Sequence, residues 1–390
     1  MSTVPSPAIF KFPKTASLGD VEGKIRDIAS LNANGEVRAF VASTYGRDVL
    51  TDIWSALAVG TLLRKSHHCT AVAWGSNRAE LFAPRRFALT PAGLVTTALA
   101  DMVVREGTTL PEDMKAVREW IRGPLRGYLG NESESRGADR WIVEFDDARA
   151  LSLSGISNND DRIDRRAFNQ LISQVRKELE IWWTREQKAQ SLAAVEHSAA
   201  KASLTDFIKE LFENAYQHGR RASERGRYVP NLRFMRFRKI TGSRIDLTRR
   251  AGVDIAIVKE FVATSLAKKG EPAFLEISIS DFGYGILDKF LSTPAGKKHQ
   301  ARPRADVFEE LLYKNLTSNS LDPAAGHGIF NALHAARKLG AFVSVRTNEF
   351  WRAQHFAGKK ADIQLRDIAT QRLGNVAGTH WQFIWAPPPL

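Results

Sequence analysis

The chain has 390 residues, 43% of them hydrophobic and 25% charged, and a formal net charge of +13 at pH 7. That composition excludes a disordered or fibrous chain, and the length calls for two domains instead of one core. The longest apolar runs, such as Ala56–Leu63, are far short of a bilayer span, and the single cysteine, Cys69, excludes an intrachain disulfide.

The first residues, MSTVPSPAIFKFPK, contain no apolar signal-like core. With the lone cysteine, this leads us to expect a cytoplasmic protein. Cys69 reads as a small core residue; His67 and His68 beside it lack a second ligand cluster for a metal. The positive charge favours anionic partners through long-range potential and says nothing about fold. Much of it is local, since Arg220–Arg250 holds eleven Arg or Lys against Glu224 and Asp246.

Residues 1–20 are rich in Pro and Ser and read as an extended arm. Val37–Ser43 and Thr70–Trp74 are apolar, β-branched runs with polar ends, as buried strands require. Between them, Leu50, Ile53, Trp54, Leu57 and Leu62 recur at helical spacing, and Arg64 and Lys65 suit a helix C-terminus. Strand, helix and strand make a βαβ-sized unit, loosely similar to STAS-like domains, within an N-terminal α/β domain at 21–157. Asn158–Asp161 marks a turn-rich boundary, followed by a charged helical stretch over Asp164–Ala194 that carries Trp182 and Trp183.

Three segments carry the chemistry. In Leu204–Gly219, Phe207, Ile208, Leu211, Phe212 and Ala215 form one helical stripe, and Glu210 and Asn214 project one turn apart from a common face. Leu275–Ser280 alternates as a strand and runs into Asp281-Phe-Gly283-Tyr-Gly285. A carboxylate there can accept a hydrogen bond from a flat donor such as an adenine amino group, and the glycines permit close approach. Gly326-His327-Gly328 then opens a helix with Ile329, Leu333, Ala336 and Leu339 on its apolar stripe. Backbone N–H groups at such a terminus bind anions, although no Walker-type lysine follows. Ala341–Arg346 and Gly378–Ala386 read as closing strands.

The order and spacing of these boxes resemble the Bergerat ATPase fold of the gyrase, MutL and histidine kinase groups, over about residues 165–390. The resemblance implies an α/β (α+β) chain: a two-layer Bergerat ATP-binding sandwich at 158–390, preceded by the smaller α/β domain. It implies ATP and Mg²⁺ as ligands, with Asn214 as the magnesium ligand and Asp281, Gly283, Gly285 and Thr379 at the adenine. Gly326, His327 and Gly328 would cradle phosphate at the edge of a mobile lid over Leu287–Ala325. Glu210 stands where histidine kinases usually carry Asn, and His197 is too close to it to serve as their phospho-acceptor. In the gyrase and MutL group the carboxylate is the general base.

Asn214-Ala-Tyr-Gln-His218-Gly219 and Gly328-Ile-Phe330 are most similar to the anti-sigma-factor serine kinases. Those kinases lack the basic insertion seen here at about 226–272 and a long N-terminal domain. The resemblance therefore implies a regulatory protein that hydrolyses ATP slowly and uses lid motion to control a protein partner. A partner-switching serine/threonine kinase is the alternative, as is a non-catalytic ATP sensor with a basic nucleic-acid surface. Arg233, Arg236 and Arg238, interleaved with Leu232, Phe234 and Phe237, form either a solvated sheet face or a contact surface for nucleic acid phosphate within Arg220–Arg250. Lys297, Lys298, Arg302 and Arg304 are a further basic group, either meeting ATP phosphates on lid closure or simply solvated. Many relatives dimerise, so an oligomer is open; no membrane association is expected.

Overall fold

The computed structural model describes residues 7–12, 18–31, 36–42, 51–66, 68–74, 84–107, 112, 114–121 and 140–146. It also describes 169–180 except 171, 174 and 178, and then 194–218, 231–240, 256–269, 274–313, 327–356, 362–369 and 373–386.

Strands β1 (Ala8–Phe12), β2 (Glu36–Ala42), β3 (His68–Trp74) and β4 (Met102–Arg105) form a parallel sheet in sequential order. Helices α1 (Leu18–Ala29), α2 (Thr51–Lys65), α3 (Pro84–Ala88) and α4 (Pro91–Leu99) occupy the crossovers. Glu36, Val37, Arg38 and Ala39 alternate exposed and buried, so β2 turns Val37, Ala39 and Val41 toward the core shared with α1 and α2. The expected arm over 1–20 is corrected here: Ala8–Phe12 pair in parallel with Val37–Val41, and Phe12 is core. Cys69 lies in that core, and burial pushes its thiol up to about 12, which leaves it inert.

Helix α2 was legible as a helix, but not its setting. Every residue from Ile53 to Arg64 is buried. A helix buried all round needs neighbours on both sides. One side meets α1, α4 and the parallel sheet, and the other meets a second sheet. Helix α4 is placed alike: its Thr90 side chain caps the N-terminus by accepting from Gly93 N at 3.0 Å, and its residues Pro91–Ala98 are buried.

The second sheet has seven strands, all antiparallel, in the order β10-β9-β8-β11-β7-β6-β5. They are β5 (Arg140–Asp146), β6 (Asn231–Ile240), β7 (Phe274–Asp281), β8 (Phe342–Asn348), β9 (Phe350–His355), β10 (Arg366–Asp367) and β11 (Val376–Trp385). A short helix, α5 (Lys115–Ile121), precedes β5. One face of the sheet packs on α6 (Ala194–His218), α10 (Arg304–Tyr313) and α11 (Gly328–Leu339), sharing a core of Phe207, Ile208, Leu211, Ile277, Ile279 and Phe383. Each fully buried side chain of this size contributes about 1.5–3 kcal/mol. The opposite face packs on α2, α4 and α7 (Ala256–Lys269), where Phe261 lies 5.8 Å from the rings of Phe274 and Phe342.

Three expectations change. The domain boundary near 157 cuts through the second sheet, because β5 pairs with β6 along its whole length. The stretch at about 226–272 is not an appended insertion: its described residues supply β6, between β5 and β7, and the core helix α7. The mobile lid over Leu287–Ala325 is, up to Tyr313, a packed helical segment made of α8 (Ile286–Ser292), α9 (Pro294–Lys297) and α10. Leu287, Phe290, Val307, Phe308, Leu311 and Leu312 anchor it in the core, and Arg304 binds Glu349 and Asp288. Residues 314–326 lie outside the described residues, as do Trp182 and Trp183.

Candidate functional site

The apolar stripe of α6 fixes its rotation on the sheet, and this turns Glu210 and Asn214 toward α11. Helix α11 begins at Gly328 directly over them. A Cβ at that position would stand 3.0 Å from Glu210 Oε2 and Asn214 Nδ2, and 3.4 Å from Asn214 Oδ1. Any side chain there would make these neighbours give by a few tenths of an ångström. The Asn214 Nδ2 atom is buried and has no hydrogen-bond partner among the described residues, which is uncommon for an amide. The N-cap residue of α11, His327, is exposed and makes no side-chain cap, so the first-turn N–H groups are free of that competition. Burial raises the Glu210 carboxyl above its ordinary value; Glu213 adds to this, Lys209 opposes it and Asp206 adds again. Gly326 lies outside the described residues.

Asp281 ends β7, and strand alternation points it to the same side of the sheet as Ile279 and Ile277, the side that α6 and α11 cover. It is 5% exposed. Its Oδ1 accepts from Gly283 N at 2.9 Å, Thr379 stands opposite it on β11, and Arg233 stands opposite it on β6. Burial pushes its carboxyl up to about 6, although the Gly283 N–H, the charges of Arg233 and Arg64, and the Thr379 backbone all pull it down. Thr379 Oγ1 lies 3.1 Å from Thr347 Oγ1.

The turn after Asp281 is held by residues that the sequence reading did not single out. Asn348 Oδ1 accepts from Leu287 N at 3.1 Å, its Nδ2 donates to Tyr284 O at 3.0 Å, and Thr347 Oγ1 accepts from Ile286 N at 3.0 Å. Gly285 has φ +81°, and a Cβ there would strike the Asn348 amide at 2.7 Å, so this position demands glycine twice over. The only available signal for Asn348 was a turn-forming Asn at the end of an apolar strand; it takes φ 48° in the β8–β9 hairpin.

The arginines of β6 correct both expectations for them. Arg233, Arg236 and Arg238 are 1%, 0% and 7% exposed, so they form neither a solvated face nor a nucleic-acid surface. Arg236 and Arg238 lie on the face toward α4 and meet Glu276 on the neighbouring strand, at 3.2 and 2.5 Å. Ser278 and Gln382 also donate to that carboxylate. Burial alone would raise the Glu276 carboxyl, but Arg238 and Arg236 with these donors hold it at about 2. On the same face His380 contacts Ser280 at 2.8 Å, and burial keeps it neutral by lowering it to about 3. The remaining basic residues of Arg220–Arg250 fall largely outside the described residues. Arg302 and Arg304, read as either phosphate contacts or solvated charges, are engaged with Glu310 and with Glu349 and Asp288, respectively.

No family model matches this chain, and neither a curated protein nor a solved structure does. The site therefore stands on its own geometry. Among the described residues no three His, Cys, Asp or Glu gather as a metal cage, and no helix is long and apolar enough to cross a membrane. One side-chain oxygen beside a helix N-terminus suits magnesium, which commonly takes few protein ligands and completes its shell with water and substrate phosphate. The unpartnered Asn214 Nδ2 calls for an acceptor such as a phosphate oxygen, and the Oδ1 of the same amide is the atom that could hold the ion.

Proposed function

We propose that this chain binds Mg-ATP on the α6 and α11 side of its seven-stranded sheet and hydrolyses it slowly in the service of controlling a protein partner. The layer formed by α6 and α11 on the sheet is read as a Bergerat-type sandwich, with the N-terminal helices added on the opposite face. The observation that supports this best is the close approach of Gly328 to Glu210 and Asn214, which lie far from it in sequence. In this reading Asp281 accepts the adenine amino group, with Gly283, Gly285 and Thr379 shaping the space around the base. The first-turn N–H groups of α11 face the phosphates. Asn214 Oδ1 would hold Mg²⁺, which when bound neutralises phosphate charge. Glu210 accepts the proton of the attacking water at its carboxylate, and its raised proton affinity makes it a better base than an exposed glutamate.

Glu210→Ala should retain Mg-ATP affinity and lose phosphate release by about a hundredfold or more, within the usual contribution of a general base. Unchanged turnover would remove Glu210 from the chemistry, and absence of ATP binding by the unaltered protein would sink the whole proposal. Transfer to a protein hydroxyl is the second reading. The same carboxylate would serve it, and radiolabelled γ-phosphate appearing on a partner protein instead of in solution is its signature.

A further inference from the structure

The wall behind Asp281 belongs to the N-terminal unit. Between Val376 and Thr379 the pairing of β11 with β8 shifts register, and this bulge re-aims Thr379 toward Asp281. A bulge leaves backbone groups without ladder partners, and buried ones must find others. Ala377 N donates to Thr61 Oγ1 on α2 at 3.0 Å, and Gly378 O accepts from Thr347 Oγ1 at 3.1 Å. The Thr61 hydroxyl in turn donates to Leu57 O at 2.7 Å, which fixes its lone pairs toward Ala377. One residue earlier, Gly60 lies under the ring of Phe282, so close that a Cβ would fall 2.2 Å from Phe282 Cδ1. Arg64, one turn further on, acts on Asp281 by its charge. A single face of α2 therefore touches both segments that flank the candidate adenine-reading carboxylate.

Helix α1 adds a second tie to the same stretch. Glu22 accepts from Gly374 N at 3.2 Å and forms a buried ion pair with Arg346 at 3.0 Å, while Arg346 donates to Gly374 O at 2.6 Å. The approach to β11 is thus fastened at Gly374 and at Ala377, both times by N-terminal side chains.

We propose that Thr61 is a positioning residue for base recognition: α2 holds the Ala377–Thr379 bulge and the Asp281 turn in register for adenine, so that nucleotide selectivity depends on the docked N-terminal unit. This rests on the ATP reading above. Bound nucleotide should reciprocally stiffen α2, because coupling between two sites acts in both directions.

The test compares ATP with inosine triphosphate, which lacks the amino group that Asp281 would accept. In the full chain, Thr61→Val keeps the shape but removes the acceptor, and should weaken ATP binding by about tenfold, the loss expected for one buried hydrogen bond. Inosine triphosphate affinity should change little, and Thr61→Ser should restore ATP binding. Equal weakening of both nucleotides, or none of either, overturns the proposal while leaving ATP binding itself intact. A chain that binds no nucleotide in its unaltered form refutes the ATP reading, and this inference with it. Hydrogen exchange on the unaltered protein gives a check independent of any variant: Mg-ATP should slow exchange in peptides covering 57–66 together with those covering 374–380. Protection confined to the second region overturns the coupling.

Discussion

Replacing Gly328 by Ala separates a ligand cradle from ordinary helix packing. The new Cβ would stand 3.0 Å from Glu210 Oε2 and from Asn214 Nδ2, so each neighbour must retreat by a few tenths of an ångström. Glu210 is half-buried at the end of a flexible side chain and can swing aside, whereas the Asn214 amide is enclosed. Against this strain, Ala is better than Gly in a helix by up to about 1 kcal/mol, and less at its first residue. The net effect on folding should stay within about 1 kcal/mol, a shift of a few degrees in Tm for a core of this size. Binding has no such compensation. The methyl group occupies the space in which Asn214 Oδ1 and the first N–H groups of α11 would meet the phosphates, and displacing that geometry should cost at least about tenfold in Mg-ATP affinity, roughly 1.4 kcal/mol. Calorimetric titration and thermal unfolding on the same sample measure both quantities. Mg-ATP affinity within twofold of the unaltered protein would refute the cradle. A Tm fall of about ten degrees or more would instead assign Gly328 to core packing alone.

Two further outcomes concern pH. The Asp281 carboxyl, pushed up to about 6 by burial, accepts the adenine amino group more strongly when ionised, so ATP affinity should fall as pH drops below about 6. Asp281→Asn should lose that dependence along with most of its preference for ATP over inosine triphosphate; an identical pH profile in the variant would exclude Asp281 from base recognition. Because its folded value lies above the ordinary 3.8, its protonated form favours folding at low pH, and that contribution is lost as pH rises through about 6. His380 has the opposite sign: its pKa is lowered from 6.5 to about 3, so its stabilising contribution is present above 6.5 and is lost as pH falls toward 3. Urea midpoints measured across that window should decline more steeply for the unaltered protein than for His380→Gln, and equal slopes would show that the buried imidazole titrates normally.

Local pattern in the chain determined a good deal. Helical spacing in Leu204–Gly219 placed Glu210 and Asn214 on one face, alternation in Leu275–Ser280 placed Asp281 at a strand end, and Gly328 marked the start of α11. These are short-range properties, set by periods of 3.6 and 2 and by glycine, and they survive without tertiary context. What a face meets is not short-range. The alternation of Arg233, Arg236 and Arg238 with apolar neighbours reads the same whether the strand faces water or a second layer. For Arg236 and Arg238 burial followed from Glu276, on the adjacent strand but about forty residues away in sequence, and from α2, α4 and α7 closing over that face; Arg233 is buried on the other face, opposite Asp281. β5 was assigned to the wrong side of a boundary because a turn-rich segment breaks the chain without breaking the sheet. The Val376–Thr379 bulge, with Thr61 satisfying its free N–H, arises only when α2 and β11 are brought together from opposite ends of the chain. The sequence therefore determined which residues could read a nucleotide, and the tertiary structure decided that the N-terminal unit helps to hold them in place.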